Sequence, residues 1–340
     1  MEPIIYKLPR PTEALQLLND NIFYDTYPSP KLIKYGFNYL SDQLNMVELT
    51  STPYYKTGLE IDFDRVDKDS ISSQAAKIFT TNKFSRTFAE FWEILTIFGL
   101  LEGNQNIYSN TPDVVNDIIS SYQSIRKSKN SLTTSKGKST LVLYKYADTD
   151  IDENAATEII VNELPKLVSN QTKGASMILQ LFGLQTQITA EIMYYLASLY
   201  EEAYIVKPVA TSDLSNNRYI VLIKLRNQIN ITLPSKMGDQ YLVSIGANPP
   251  QDFETPIQCM NSITVPNKYK KYYAIKAYLN TKIYEGPLYQ EMIKNQNSQA
   301  GKWIAEFTNF GSLPAILASI LERTDKTCTK YSELMKFFNQ

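Results

Sequence analysis

Few residues in this chain are equipped for chemistry. Its 340 residues include no histidine and two cysteines, Cys259 and Cys328. The missing histidine removes the most frequent general base near neutral pH and the commonest metal ligand. Two thiols far apart in sequence argue against a zinc site and against a disulfide framework, and they fit a reducing compartment. No complete GxxxxGK(S/T) loop and no GxGxxG turn occurs, so neither phosphate-cradling motif is present. Three charged clusters remain. Asp62, Asp64 and Asp67 could form a cation loop, but the glycine and closing glutamate of an EF-hand are missing, and a solvated turn is expected instead. Between Asp117 and Asp148 no acidic residue occurs, while Arg126, Lys127, Lys129, Lys136, Lys138 and Lys145 do. This is either a contact for phosphate or an acidic partner, or a solvated loop. In Lys268–Lys282, Lys268, Lys270, Lys271, Lys276 and Lys282 alternate with Tyr269, Tyr272, Tyr273 and Tyr278. Such interleaving can bind single-stranded RNA; on a helix it more often buries tyrosines while lysines reach water.

Composition sets the outer limits. With 43% hydrophobic residues the chain can fill a sizeable core. A formal net charge of −1 gives no global attraction for nucleic acid, so any such contact is local. No apolar run approaches the ~18 residues of a membrane span, and the N-terminus lacks the apolar stretch of a signal peptide. A cytoplasmic protein with no membrane contact is expected.

The elements that would position a site follow from periodicity. Pro11 suits the start of a helix over Thr12–Asn19, and Ser29–Asn45 reads as a second helix with Ile33, Phe37, Leu40 and Leu44 inward. Residues 83–101 form the clearest amphipathic helix, with Phe84, Phe88, Phe91, Leu95 and Phe98 on one stripe and Gly99 or Gly103 at its end. A strand at Asn106–Tyr108 leads through Ser109–Val115 to a helix at Asp113–Gln123, with Thr111 as N-cap and Pro112 at the first position. Ser120–Ser139 is polar and reads as a loop. Thr140–Tyr146 is a strand. Asp150, Asp152 and Glu153 then open a helix, Ala155–Val168, whose N-terminal dipole they suit, and Pro165 is expected to bend or shorten it. A strand at Met177–Phe182, a helix at Thr186–Tyr200 and strands at Ala203–Val206 and Tyr219–Leu225 follow. Residues 226–266, rich in proline, read as loops with short strands, and helices close the chain.

The stretch 173–225 resembles the last third of FtsJ-type ribose 2′-O-methyltransferases. The shared frame is Lys173-Gly174, the Met177-Ile178-Leu179 strand, Lys207-Pro208 and Tyr219-Ile220-Val221. The resemblance implies an α/β chain with a truncated Rossmann-like methyltransferase fold. A helical N-terminal region (1–82) would precede the degenerate core (83–226), and a mainly helical C-terminal extension (227–340) would follow. Its catalytic positions are replaced. The family lysine falls on Gln180, the family glutamate on Asn217, and the family aspartate on Lys145, with Asp148 nearby. The glycine-rich loop for S-adenosylmethionine falls on Ser109, Asn110, Thr111, Pro112, Asp113 and Val114, where only the proline matches. The strands that hold adenosine have no room between Ser120 and Ser139. Gln and Asn cannot act as general bases near neutral pH, so no catalysis and no cofactor are expected.

A second, shorter similarity involves Ser29, Pro30, Tyr35, Gly36, Asn38 and Tyr39. It is to the small, non-catalytic subunits of poxvirus-type mRNA-capping enzymes. That resemblance implies a viral regulatory subunit. It would bind the large catalytic capping subunit, stimulate its guanine-N7 methyltransferase allosterically, and work in the cytoplasm, in a viral factory or in the virion. The alternatives are an active cap 2′-O-methyltransferase with a diverged site, and a structural or RNA-binding protein on the same fold. Arg126, Lys127, Lys129, Lys136, Lys138, Lys270 and Lys271 are the candidate partner or RNA contacts.

Overall fold

The computed structural model describes residues 2–15, 22–32, 74–81, 84–127, 132–134, 137–146, 152–227, 240–281 and 286–338. Its centre is a seven-stranded sheet whose inner strands are apolar on both faces, as a strand covered from two sides must be. The strands are β1 (Ile4–Leu8), β3 (Gln105–Ser109), β4 (Leu132–Thr134), β5 (Ser139–Tyr144), β6 (Gln171–Leu181), β7 (Tyr200–Lys207) and β8 (Arg218–Leu225), in the order β1-β7-β8-β6-β5-β3-β4. The half formed by β4, β3, β5 and β6 is parallel; β6–β8, β8–β7 and β7–β1 are antiparallel. A separate two-stranded sheet joins β2 (Phe23–Asp25) to β9 (Tyr241–Ser244).

Among the described residues seven long helices cover the two faces: α1 (Arg86–Ile97), α2 (Pro112–Arg126), α3 (Glu153–Ser169), α4 (Gln187–Leu199), α5 (Gln251–Asn280), α6 (Pro287–Phe307) and α7 (Leu313–Phe338). The two-residue period of the strands sorts side chains between two cores. Leu141, Leu143, Ile178, Tyr204, Val206 and Val221 meet α1, α2, α6 and the start of α7. Val142, Met177, Leu179, Ile205, Ile220 and Leu222 meet α3, α4 and α5. The arrangement is mixed α/β, with helices on both faces of a mixed sheet. The N-terminal strand lies within the central sheet, and the helices after residue 250 share these same two cores.

Helix α1 is buried on every side, because α6 and α7 cover the face turned away from the sheet. Trp92 stacks on Phe88 and donates its indole N–H to the carbonyl of Phe307, 2.9 Å away. Ser85 caps the helix by accepting from the N–H of Phe88, and Gly99, at φ 63°, turns the chain out of it.

Several expectations need correction. Ser120–Ser139 is not one loop: α2 continues to Arg126, and Leu132–Thr134 forms a short parallel strand beside β3. Ile125 packs against the core and Leu132 is buried in it, and this anchoring outweighs the polar composition. Pro165 does not shorten α3, which runs to Ser169. The proline-rich segment after Pro250 is helix: α5 passes through Pro256 and Pro266. Two interior prolines cost a helix about 6 kcal/mol. Burying Phe253, Ile257, Met260, Val265, Tyr272, Ile275 and Tyr278 returns about 1.5–3 kcal/mol each, so packing overrides propensity. Of the helix expected over Thr12–Asn19, residues 12–15 are described and are not helical; most of Ser29–Asn45 and all of the acidic run 60–69 lie outside the described residues.

The acidic residues before α3 divide their roles. Asp152 caps α3 by accepting from the N–H groups of Asn154 and Ala155, as expected. Glu153 serves a different helix. Its carboxylate accepts from the N–H groups of Gln185 and Thr186 and from the hydroxyls of Thr186 and Thr189, at 2.8–3.1 Å, and so caps the N-terminus of α4. Ser29 adds its hydroxyl, which accepts from the N–H of Ile188.

Candidate functional site at the carboxyl ends of the parallel strands

In an open α/β sheet, ligands bind where the chain reverses its direction of travel across the sheet, outside the carboxyl ends of the strands. Here β3 has β4 on one side and β5 on the other, which places the crevice between the ends of β3 and β5. The residues after β3 and β5, the ends of β6 and β7 and the start of antiparallel β8 lie at this same edge. Lys145, Gln180 and Asn217, the three positions that the sequence resemblance singled out as replaced, therefore come to one end of the sheet.

The crevice is stitched shut. Asn110 donates its amide to the carbonyl of Lys145 (2.6 Å), and its Oδ1 accepts from the N–H of Lys145 (3.1 Å). Gln180 Oε1 accepts from the N–H of Tyr146 (2.7 Å). Two side chains thus hold the backbone that follows β5, where a ligand would have to enter.

Behind them lies a buried ion pair. The ammonium of Lys145 donates to Glu90 Oε2 (2.8 Å) and to Thr87 Oγ1 (2.9 Å). The Lys145 and Glu90 side chains are 2% and 0% exposed. Glu90 also accepts from the hydroxyls of Thr211 and Tyr219, both at 2.7 Å. Glu90 is thus held by three side-chain donors, away from solvent. Lys207, at the end of β7, pairs with Asp213 at 2.8 Å and donates to the carbonyl of Thr211. Asn217 is buried, and its Oδ1 has no hydrogen-bond partner among the described residues. Asp148 lies outside the described residues.

One helical turn along α1, Glu93 accepts from the N–H groups of Val209 (2.6 Å) and Ala210 (3.3 Å) and from the indole N–H of Trp303 (2.9 Å). Complete burial pushes its carboxyl up to about 7, against the pull of these three donors and of Lys207. The sign is set by proton uptake. Between about 4.5 and 7 the folded chain holds a proton that the unfolded chain has released. The contribution of Glu93 to stability is therefore full below about 4.5 and lost as the pH rises through 7, on the order of 3 kcal/mol in all. Denaturant titrations across this window should show wild type losing stability with rising pH relative to Glu93→Gln. Parallel curves for the two would refute the assignment.

The turn after β3 does not suit S-adenosylmethionine. It has no glycine, and it satisfies itself: Ser109 Oγ accepts from the N–H of Thr111 (3.0 Å) and lies 3.2 Å from its hydroxyl. Pro112 removes an N–H from the start of α2, and Asp113 sets a carboxylate in the first turn, where it would repel the cofactor carboxylate. Val114 packs against the core. Together with the Asn110 clasp, these leave no cradle for the methionine moiety.

The candidate contact residues separate. Arg126 lies 3.5 Å from Glu102 and over the ring of Phe310. Lys127 is exposed at the left-handed end of α2, and Lys138 reaches the carbonyl of Ser169. Lys129 and Lys136 lie outside the described residues. On α5, Lys270 is exposed, but Lys271 is only 8% exposed, which corrects its reading as a surface contact. Lys268 is buried against Asn216 Oδ1 (2.8 Å), and Tyr272 and Tyr278 face the interior while Tyr273 does not. That is a buried tyrosine face, set there by packing.

Glu90, Glu93 and Trp303 were not among the sequence candidates. The available signal was two acids inside the aromatic helix, Phe88-Ala89-Glu90-Phe91-Trp92-Glu93. In a helix buried all round, an acid must find buried donors. Among the described residues no group of three or more metal-ligating side chains is assembled, and no helix is long and apolar enough to cross a membrane.

No family model matches the chain. Over 349 aligned residues it is 43% identical to an uncharacterized protein of Acanthamoeba polyphaga mimivirus, a match that covers 100% of each chain.

Proposed function

The chain belongs to the viral protein family of that mimivirus relative, and from this premise we propose that it is a non-catalytic regulatory subunit of an mRNA-capping enzyme. In this reading a methyltransferase-like frame has lost its own chemistry. It binds the large catalytic subunit and stimulates its guanine-N7 methyltransferase.

The observation that carries the proposal is the sealed centre. Lys145 stands where the resemblance calls for an acid, and it is locked to Glu90 at 2.8 Å behind the Asn110 clasp. The order β6, α4, β7, connecting loop, β8 agrees with the frame carried by residues 173–225. Helices on both sides of a part-parallel sheet are compatible with it as well. An active 2′-O-methyltransferase would need an open crevice and a base, and the buried pair supplies neither. A role as an RNA-binding module finds less support, because Lys268 and Lys271 are buried.

Two experiments test the reading. Calorimetric titration of S-adenosylmethionine into the protein should give no binding; micromolar affinity would overturn the non-catalytic assignment. Added to its cognate guanine-N7 methyltransferase, the protein should raise substrate or cofactor affinity by about 5- to 150-fold, the usual range of allosteric coupling. An unchanged transferase, with salt-dependent RNA affinity in its place, would favour the RNA-binding alternative.

A further inference from the structure

A cavity of about 230 Å³ lies between β1, the start of α5 and the middle of α7, far more room than one water needs. Its walls include Tyr6, Asp252, Thr255, Thr324, Asp325 and Thr329. Side chains of β1 alternate across the sheet: Ile5 joins the core under α1, and Tyr6 joins the core shared with α5. The Tyr6 ring is therefore turned toward the cavity. Its hydroxyl is buried and has no hydrogen-bond partner among the described residues. Such an orphan costs about 1–3 kcal/mol, and this one borders an open space.

The other polar groups around that space are acceptors. The hydroxyls of Thr255, Thr324 and Thr329 donate to the carbonyls of Gln251, Ile320 and Asp325 at 2.9–3.0 Å, so only their lone pairs remain to offer. Asp252 accepts from the N–H of Phe253, but neither it nor Asp325 forms an ion pair among the described residues. Lys7 also borders the cavity, yet its ammonium lies 3.8 Å from Glu202 and over the ring of Tyr204, which belongs to the other core. A ligand must therefore bring both hydrogen-bond donors and positive charge. A hard divalent cation needs about six to eight oxygens, and no group of three or more metal-ligating side chains occurs among the described residues. A primary ammonium needs only three acceptors, and Pro256 and Leu321 supply apolar wall for its carbon chain.

We propose that this cavity binds a small aliphatic amine, its ammonium held by Asp252, Asp325 and the hydroxyl of Tyr6. The site does not depend on the capping role. The experiment is a calorimetric titration of the full-length protein with putrescine, alongside the diol of the same chain length. Putrescine should bind saturably, and the diol, which lacks the charge, should not. Asp325→Asn, a change at an exposed position, should weaken putrescine binding by about 10- to 100-fold, the worth of a hydrogen bond to a charged group. Tyr6→Phe removes only the unpartnered hydroxyl. It should weaken binding by about 2- to 10-fold without lowering the thermal midpoint, which separates a lost contact from a lost fold. No saturable binding, equal binding of the diol, or undiminished affinity in either variant would overturn the proposal.

Discussion

Truncating Lys145 to alanine is expected to destabilise the protein by about 3–5 kcal/mol, the usual result of leaving a buried charge unpaired. The Lys145 side chain is 2% exposed, and its partner Glu90 is 0% exposed. Glu90 would keep its hydrogen bonds from Thr211 and Tyr219 but lose its counter-charge. Desolvation is what makes the effect large, since a surface pair contributes only about 0–1 kcal/mol. The double variant Lys145→Met, Glu90→Gln removes both charges and should recover most of the loss, because buried pairs often exchange for neutral groups at little net cost. Urea denaturation of Lys145→Met, Glu90→Gln and the double variant closes the cycle. A single-variant loss below about 1 kcal/mol would mean that the pair does not hold this end of the sheet together.

Gly183→Ala should cost about 3 kcal/mol through two additive causes. Gly183 has φ 138°, a conformation that residues with a Cβ adopt only under strain, at about 1–3 kcal/mol. An added Cβ would also lie 2.4 Å from Glu153 Oε2. To make room, the carboxylate must leave the N-terminus of α4, and losing such a cap costs about 0.5–2 kcal/mol. Glu153→Ala isolates the second cause. Gly183→Ala combined with Glu153→Ala should therefore cost less than the sum of the singles, because the clash has gone. Full additivity in thermal melts would show that strain at Gly183 acts alone. The turn joins β6 to α4, so the same measurement reports how firmly the end of β6 that carries Gln180 is anchored.

How much of this was legible in sequence varies from element to element. Strands β3, β5, β6, β7 and β8 and helices α1 to α4 follow from period, caps and branched residues, and the structure moves their ends by only a few residues, except at the start of β6, which begins at Gln171. Helix α5 was not legible, because Pro256 and Pro266 carry a strong local signal against helix, and only the buried face of that helix against the core outweighs it. The pairings of Glu90 with Lys145 and of Glu153 with the start of α4 were likewise invisible. Each joins residues from separate elements.

By itself, then, the sequence determined the two-faced α/β class, the absence of histidine chemistry, and a turn after β3 without glycine. Local period, propensity and residue identity carry that information, and each acts over a few neighbouring residues. Only the tertiary structure decided that Asn110 clasps the backbone after β5 and that the acids of α1 become buried ion-pair and hydrogen-bond partners. Those outcomes rest on burial. Once water is excluded, a charge or an amide must take whichever partner the packing of distant segments brings within about 3 Å.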